Sequence, residues 1–332
     1  MRASVLWRRV TLACVALTLL VGLSLVPHLM GGTELVRLRN ALLLQAEPAT
    51  TEWTPASVPD GFLLEKMPPN AGYAAIISRH QLARSDGDWA TALAIGRQML
   101  PEGRRSGGAI QAGLDETWQR ITEQGEGYCG DYADSFTGLA TAAGVFSRSW
   151  AFSFDGFGGH GHIFNEIWDR QQNRWIMLDV FNNFYPADAS GQPMSALEFR
   201  AALQAGEAPQ IVPIDATANP GFQYTDKLLD YYRRGLPEWY LWWGNNVFAV
   251  DEAAGARLFG WAPPAVQQLA TVAQGVYPPL RILETPENAA QRATLQSVRT
   301  RLLALLALGA LSSVGLLGWL FSRRRARAES HA

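Results

Sequence analysis

The sequence predicts an α+β fold, helices first and an antiparallel sheet after them, set between two transmembrane helices. Three patterns lead there: an uncharged apolar run near each end, helical spacing of apolar residues up to Ala143, and period-two alternation with a hairpin turn beyond Ser149.

The two apolar runs come first. Val10 to Met30 and Leu302 to Phe321 contain no Asp, Glu, Lys or Arg, and each is long enough to cross a bilayer as a helix. Arg8 and Arg9 precede the first run, as in a signal peptide, but no small-x-small cleavage pattern follows Val26-Pro27-His28. An uncleaved anchor is therefore expected. Arg2, Arg8 and Arg9 lie before the first run, and Arg323, Arg324, Arg325 and Arg327 lie after the second. By the positive-inside tendency both termini are cytoplasmic. Residues from about Gly31 to Arg301 then face outward, into the periplasm from a bacterial inner membrane. Arg37, Arg39, Arg299 and Arg301 at the opposite ends weigh against this orientation.

Acidic and basic residues number 30 and 28, so no nucleic acid or other polyanion is expected as a partner. Of the two cysteines, Cys14 lies inside the first apolar run, which leaves Cys129 without a disulfide partner in its own compartment. An unpaired thiol in an oxidising space is either buried and inert or put to use.

Between the anchors, residues 31–70 read as a linker or arm, punctuated by Pro48, Pro55, Pro59, Pro68 and Pro69. A core is expected over 71–190, and an extracytoplasmic extension with an aromatic cluster over 191–300. The second transmembrane helix covers 301–322 and a basic cytoplasmic tail 323–332. Apolar spacing predicts helices over Asp88–Leu100 and Ala109–Gln124, with Pro101–Gly108 as a loop between them. After the turn-rich Gly125-Glu126-Gly127-Tyr128, a third helix starts at or just before Cys129 and stops at Gly144. Strands follow at Ser149–Phe154, His162–Trp168 and Arg174–Val180, with Asp169–Asn173 as a hairpin turn. Farther on, helices are expected at Ser195–Gln204 and Thr225–Arg234, and a loop at Pro213–Pro220. The helical pattern from Glu287 onward runs into the second anchor. Trp239, Tyr240, Trp242 and Trp243 read as a core or membrane-interface cluster, or as a glycan-stacking platform.

A thiol nucleophile needs a site that favours the thiolate, a base within reach and a group that fixes the base's tautomer. A helix N-terminus supplies the first, and Cys129 is placed for it behind Gly125 and Gly127. With a four-residue loop Asp169–Gln172, Trp168 would face Asn173 and His162 would face Asp179 directly. The catalytic set expected is Cys129 as nucleophile, His162 as base and Asp179 as its orienting carboxylate. His160 is a competing base, although Gly158, Gly159 and Gly161 put it in a loop. Glu166 reads as a supporting carboxylate or as a surface cross-strand partner of Trp175, and Asp131 as a helix cap.

Gly127-Tyr128-Cys129-Gly130-Asp131-Tyr132-Ala133 resembles the cysteine motif of the transglutaminase-like superfamily. Ala143 to Arg148 resembles that family's passage into the first strand, His162 to Ile167 its histidine motif with Phe164 where Trp is usual, and Trp175 to Asp179 its aspartate motif. The likeness spans roughly Asp115 to Phe184. One departure is Phe146-Ser147, where a Pro usually precedes the arginine.

The resemblance implies a papain-like fold, with the cysteine helix packed on an antiparallel sheet and acyl transfer through a thioester. It leaves protein cross-linking, peptidase and amidase chemistry open, with water or an amine as acceptor. It also implies an oxyanion-hole side chain upstream, for which Trp89, Gln98 and Trp118 are candidates. No cofactor and no metal are expected: Cys129, His160 and His162 lack the paired spacing of zinc ligands, and no loop has the alternating oxygen ligands of a calcium site. The expected partner is a protein or peptide substrate, a cell-envelope component among the candidates, together with partners in an envelope complex. A non-catalytic envelope assembly or polysaccharide-binding module is the alternative reading.

Overall fold

The computed structural model describes residues 2–29, 31–101, 105, 107–110, 112–219, 221, 227–253 and 270–330. The chain divides into two compact units, residues 1–42 with 289–332, and residues 43–288.

The first unit is helical, with α1 (Arg2–Leu25), α2 (Gly32–Leu43) and, at the other end of the chain, α10 (Ala289–Ser330). Two stretches, Val5–Leu29 and Pro286–Arg325, are helical, long and apolar enough to cross a membrane. Leu19, Leu20 and Leu23 on one, and Leu306, Leu317 and Phe321 on the other, point outward, the reverse of a water-soluble surface. Gly318 lies against Trp7, Gly315 against Thr11 and Gly22 against Leu305, so α1 and α10 run antiparallel with glycines at the close approaches. As the pattern from Glu287 predicts, α10 is one uninterrupted helix.

The second unit opens with helices α3 (Ala71–Arg79), α4 (Asp88–Met99), α5 (Leu114–Gln124) and α6 (Cys129–Ala142). Strands β1 (Ser147–Ser153), β2 (Gly161–Asp169), β3 (Arg174–Leu178) and β4 (Phe184–Ala187) follow, then α7 (Ala196–Gln204), β5 (Gln210–Pro213), α8 (Leu228–Gly235), β6 (Trp239–Trp242), α9 (Val247–Asp251) and β7 (Leu280–Ile282). The main sheet has the order β3-β2-β1-β6-β7, and every neighbouring pair is antiparallel. β4 and β5 form a separate two-stranded ribbon.

Local chemistry sets several of these boundaries. Ser195 and Glu198 form a reciprocal capping box that starts α7. Gly144, at φ +75°, takes the left-handed conformation that ends α6. The helix expected from Ala109 begins only at Leu114, because the residues before it are used elsewhere. Gly127 N donates to Gly108 O at 3.1 Å, and Ile110 N donates to Asp131 Oδ2 at 3.2 Å, which lays this segment along the start of α6. Gln111, residues 102–104 and 106 of the expected loop, Pro220, and residues 225–226 of the expected helix lie outside the described residues.

Alternation along the strands divides the core into two layers. Ile167, Ile176, Leu178 and Val180 pack with Tyr73, Ile95, Phe136 and Leu139 of the helices. Phe164, Trp175 and Met177 pack on the other face with Trp150, Phe152, Phe199, Tyr232 and Trp239. The aromatic run over 239–243 is core: Trp239 and Trp243 are fully buried, and Tyr240 and Trp242 nearly so. No platform for stacking a glycan is left there. The arm differs from its expectation too. It starts with α2, and its proline-rich part packs on the sheet through buried Trp53 and Phe62, two large aromatic rings whose burial favours docking.

Candidate active site

Cys129 is the first residue of α6 and is partly exposed. The approach is tight: Gly127 sits at φ +102°, and a Cβ there would come within 3.2 Å of Ile110 and 3.3 Å of Tyr132. Asp131 caps the helix as expected, its Oδ2 accepting from Tyr128 N at 2.8 Å. Asn165 on β2 ties α6 to the sheet, its Nδ2 donating to Ala133 O at 3.2 Å, to Thr137 Oγ1 at 3.0 Å and to Ser149 Oγ at 3.2 Å.

The register of β2 on β3 corrects the expectation. Trp168 pairs with Trp175, not with Asn173, and Asn165 pairs with Leu178. The turn is Arg170–Asn173, one residue later than expected. Asp169 stays in the ladder opposite Arg174, while its Oδ1 accepts from Gln171 N at 2.8 Å and Gln172 N at 3.1 Å, so it closes the turn instead of beginning it. Carried forward, this pairing sets Asp179 opposite Phe164 and diagonal to His162. The shift is two residues, and a side-chain period of two keeps His162 and Asp179 on one face.

The diagonal pair is in contact. His162 Nε2 donates to Asp179 Oδ2 at 2.6 Å, with both side chains buried, and Cys129 is near enough to the ring to influence its protonation. Asn182 Nδ2 donates to Asp179 Oδ2 at 2.7 Å and lies 3.2 Å from His162 Nε2, and Asn182 N donates to Asp179 Oδ1 at 3.1 Å. Tyr232 Oη donates to the same Oδ2 at 2.7 Å. Burial by itself would lower the His162 pKa, but the Asp179 charge and the adjacent Cys129 outweigh it and raise it to about 10. Burial opposes ionisation of Asp179 as well, yet His162, Tyr232 and Asn182 hold its pKa below the usual carboxylate value. Burial, reinforced by the Asp179 charge, pushes Tyr232 far above the usual phenol range, so it stays a donor.

The other candidates fall elsewhere. His160 is in an exposed loop, 3.6 Å from Asp155. Glu166 is fully buried and faces Met177, not Trp175; it takes Arg148 at 2.7 Å, Trp150 Nε1 at 2.8 Å and Ala196 N at 2.8 Å. It serves the core, because Arg148 is its cross-strand neighbour on β1. Trp89 meets Tyr185 edge-on at 5.0 Å. Trp89 and Trp118 lie against the helical core layer, and no described hydrogen bond links Trp89, Gln98 or Trp118 to Cys129, His162 or Asp179.

Sequence reasoning missed Asn182 and Tyr232. Asn182 follows Asp179 by three residues, a spacing that signals a side-chain-capped turn. Tyr232 is 53 residues from Asp179 on α8, and no local pattern points to it.

Residues 106–180 match the family model of the transglutaminase-like superfamily. No curated protein and no solved structure matches the chain. The matched segment contains Cys129, His162 and Asp179, whereas Asn182 and Tyr232 lie beyond it.

Proposed function

We propose that this chain, which carries a transglutaminase-like core, is a membrane-anchored thiol enzyme of the cell envelope that cleaves a carboxamide or peptide bond through a thioester on Cys129. The observation that carries this reading is the His162 imidazole, held at one nitrogen by Asp179 and adjacent to Cys129 at the start of α6. In this mechanism the Cys129 thiolate bonds to the carbonyl carbon, and backbone N–H groups at the start of α6 receive the oxyanion. His162 gives its proton to the departing nitrogen as the C–N bond breaks. Water or a second amine then attacks the thioester and returns a proton to His162, and the C–S bond breaks to restore the thiolate. Asp179 keeps the ring oriented throughout.

The antiparallel packing of α1 on α10 and the arginines at both ends support an inner-membrane protein with cytoplasmic termini and a periplasmic catalytic unit. The test is Cys129→Ala in the full chain, with labelling by an iodoacetamide probe and turnover of glutamine-containing or peptide substrates as readouts. Loss of both is expected; unchanged labelling and turnover would overturn the proposal.

A further inference from the structure

Arg105 is a half-buried cation that the mechanism above does not use. Its Nη1 donates to the Phe181 carbonyl, and its guanidinium lies between two rings, 4.5 Å from the centre of Tyr132 and 4.8 Å from that of Phe181. Among the described residues its buried Nε and Nη2 have no acceptor, and the hydroxyl of Tyr132, a residue only 1% exposed, has no hydrogen-bond partner. Guanidinium and phenol are near enough to influence each other's protonation, but no hydrogen bond of acceptable geometry joins them. Asp179 does not fill the gap: its described hydrogen bonds come from His162, Asn182 and Tyr232, and none from Arg105.

Nε and Nη2 form the side-on edge of a guanidinium, the fork that matches the two oxygens of a carboxylate. Arg170 shows the fit within this chain, its Nε reaching Asp88 Oδ2 at 2.7 Å and its Nη2 reaching Asp88 Oδ1 at 2.5 Å. The same edge of Arg105 has no acceptor among the described residues, and the Tyr132 hydroxyl is a further donor near it. Tyr132 is three residues after Cys129, so it shares the helix face of the sulfur one turn along. The Phe181 ring is 5.5 Å from that of Tyr132 and 6.0 Å from that of His162. The cradle thus adjoins both the nucleophile helix and the base.

We infer that Arg105 and Tyr132 receive a carboxylate of the acyl donor, which makes the substrate an amide or peptide with a free acidic group close to the bond that is cut. This rests on the thiol chemistry proposed above and adds the donor's charge to it.

Iodoacetate and iodoacetamide alkylate the same sulfur and differ in a carboxylate against a carboxamide. The experiment takes the ratio of their rates at Cys129 in the full membrane-embedded chain at pH 7, with iodoacetamide as the internal reference for each variant. The wild type should favour iodoacetate, and Arg105→Gln should lower the ratio by roughly tenfold, as expected for loss of a charge-assisted pair. Arg105→Lys keeps the charge but lacks the fork, and Tyr132→Phe keeps the ring but lacks the hydroxyl. Both should lower the ratio partway, and they carry the test if Arg105→Gln does not fold. Labelled Cys129 with the same ratio in wild type and variants overturns the carboxylate cradle alone. Failure of iodoacetamide to label wild-type Cys129 overturns the cradle and the thiol chemistry together.

Discussion

His162 and Asp179 meet across a diagonal of the β2–β3 ladder, imidazole to carboxylate at 2.6 Å, in a site where both are buried. A diagonal pair needs side chains that lean along the strand, and the three other donors on Asp179 hold its carboxylate in that pose.

The first prediction concerns pH. The His162 pKa rises from 6.5 to about 10 in the fold, so the stability it contributes is complete below pH 6.5 and is lost as pH climbs through about 10. Asp179 has the opposite sign: its pKa is lowered from 3.8, so its contribution is present above pH 3.8 and is lost on further acidification. Urea midpoints taken at pH 6.5, 8 and 10 should fall steadily for the wild type. In Asp179→Asn that decline should flatten, and an equally steep decline there would contradict the assignment.

Tyr232→Phe removes one donor from Asp179 while keeping the ring that packs on Phe152 and Phe199. A hydrogen bond to a charged group is worth about 1.5–3 kcal/mol, so kcat should fall by roughly 10- to 100-fold with KM little changed. A KM effect without a kcat effect would place Tyr232 against substrate instead.

Arg148 and Glu166 form a sealed pair, 1% and 0% exposed, with the guanidinium 3.7 Å above the Trp175 ring. Arg148→Met should destabilise the fold by about 3–5 kcal/mol, because Glu166 would be left charged in the core. Denaturant unfolding of this variant beside the double variant with Glu166→Gln checks the cause. The double variant should recover part of the loss.

Gly161 lies where β1 and β2 touch, and a Cβ there would overlap the Phe152 carbonyl oxygen and come within 2.9 Å of Ser153 Cα. Backbone cannot yield as a flexible side chain can. Gly161→Ala should therefore spread the strands beside His162 and slow Cys129 alkylation by at least about tenfold, with a loss of stability of about 1–3 kcal/mol. Labelling rate and melting temperature measured together test this.

Much of the fold was legible because its signals are local. Cys129 begins α6 where turn-rich residues give way to helical spacing, and the strands through His162 and Asp179 alternate. Strand β6 was hidden, because Trp239 to Trp242 is buried on both faces and shows no alternation. Glu166 was misread for a related reason, since its partner Arg148 belongs to another strand, 18 residues back.

By itself the sequence determined two membrane-length helices, the helix start at Cys129, and a common face for His162 and Asp179. Face depends only on an odd or even count, so a shift of two residues did not disturb it. The tertiary structure alone decided which turn closes the hairpin, that Asn182 and Tyr232 brace the carboxylate, and that Arg105 keeps its Nε and Nη2 without an acceptor among the described residues, beside Tyr132. Those contacts join segments far apart along the chain, and their energies arise only once packing has brought the segments together.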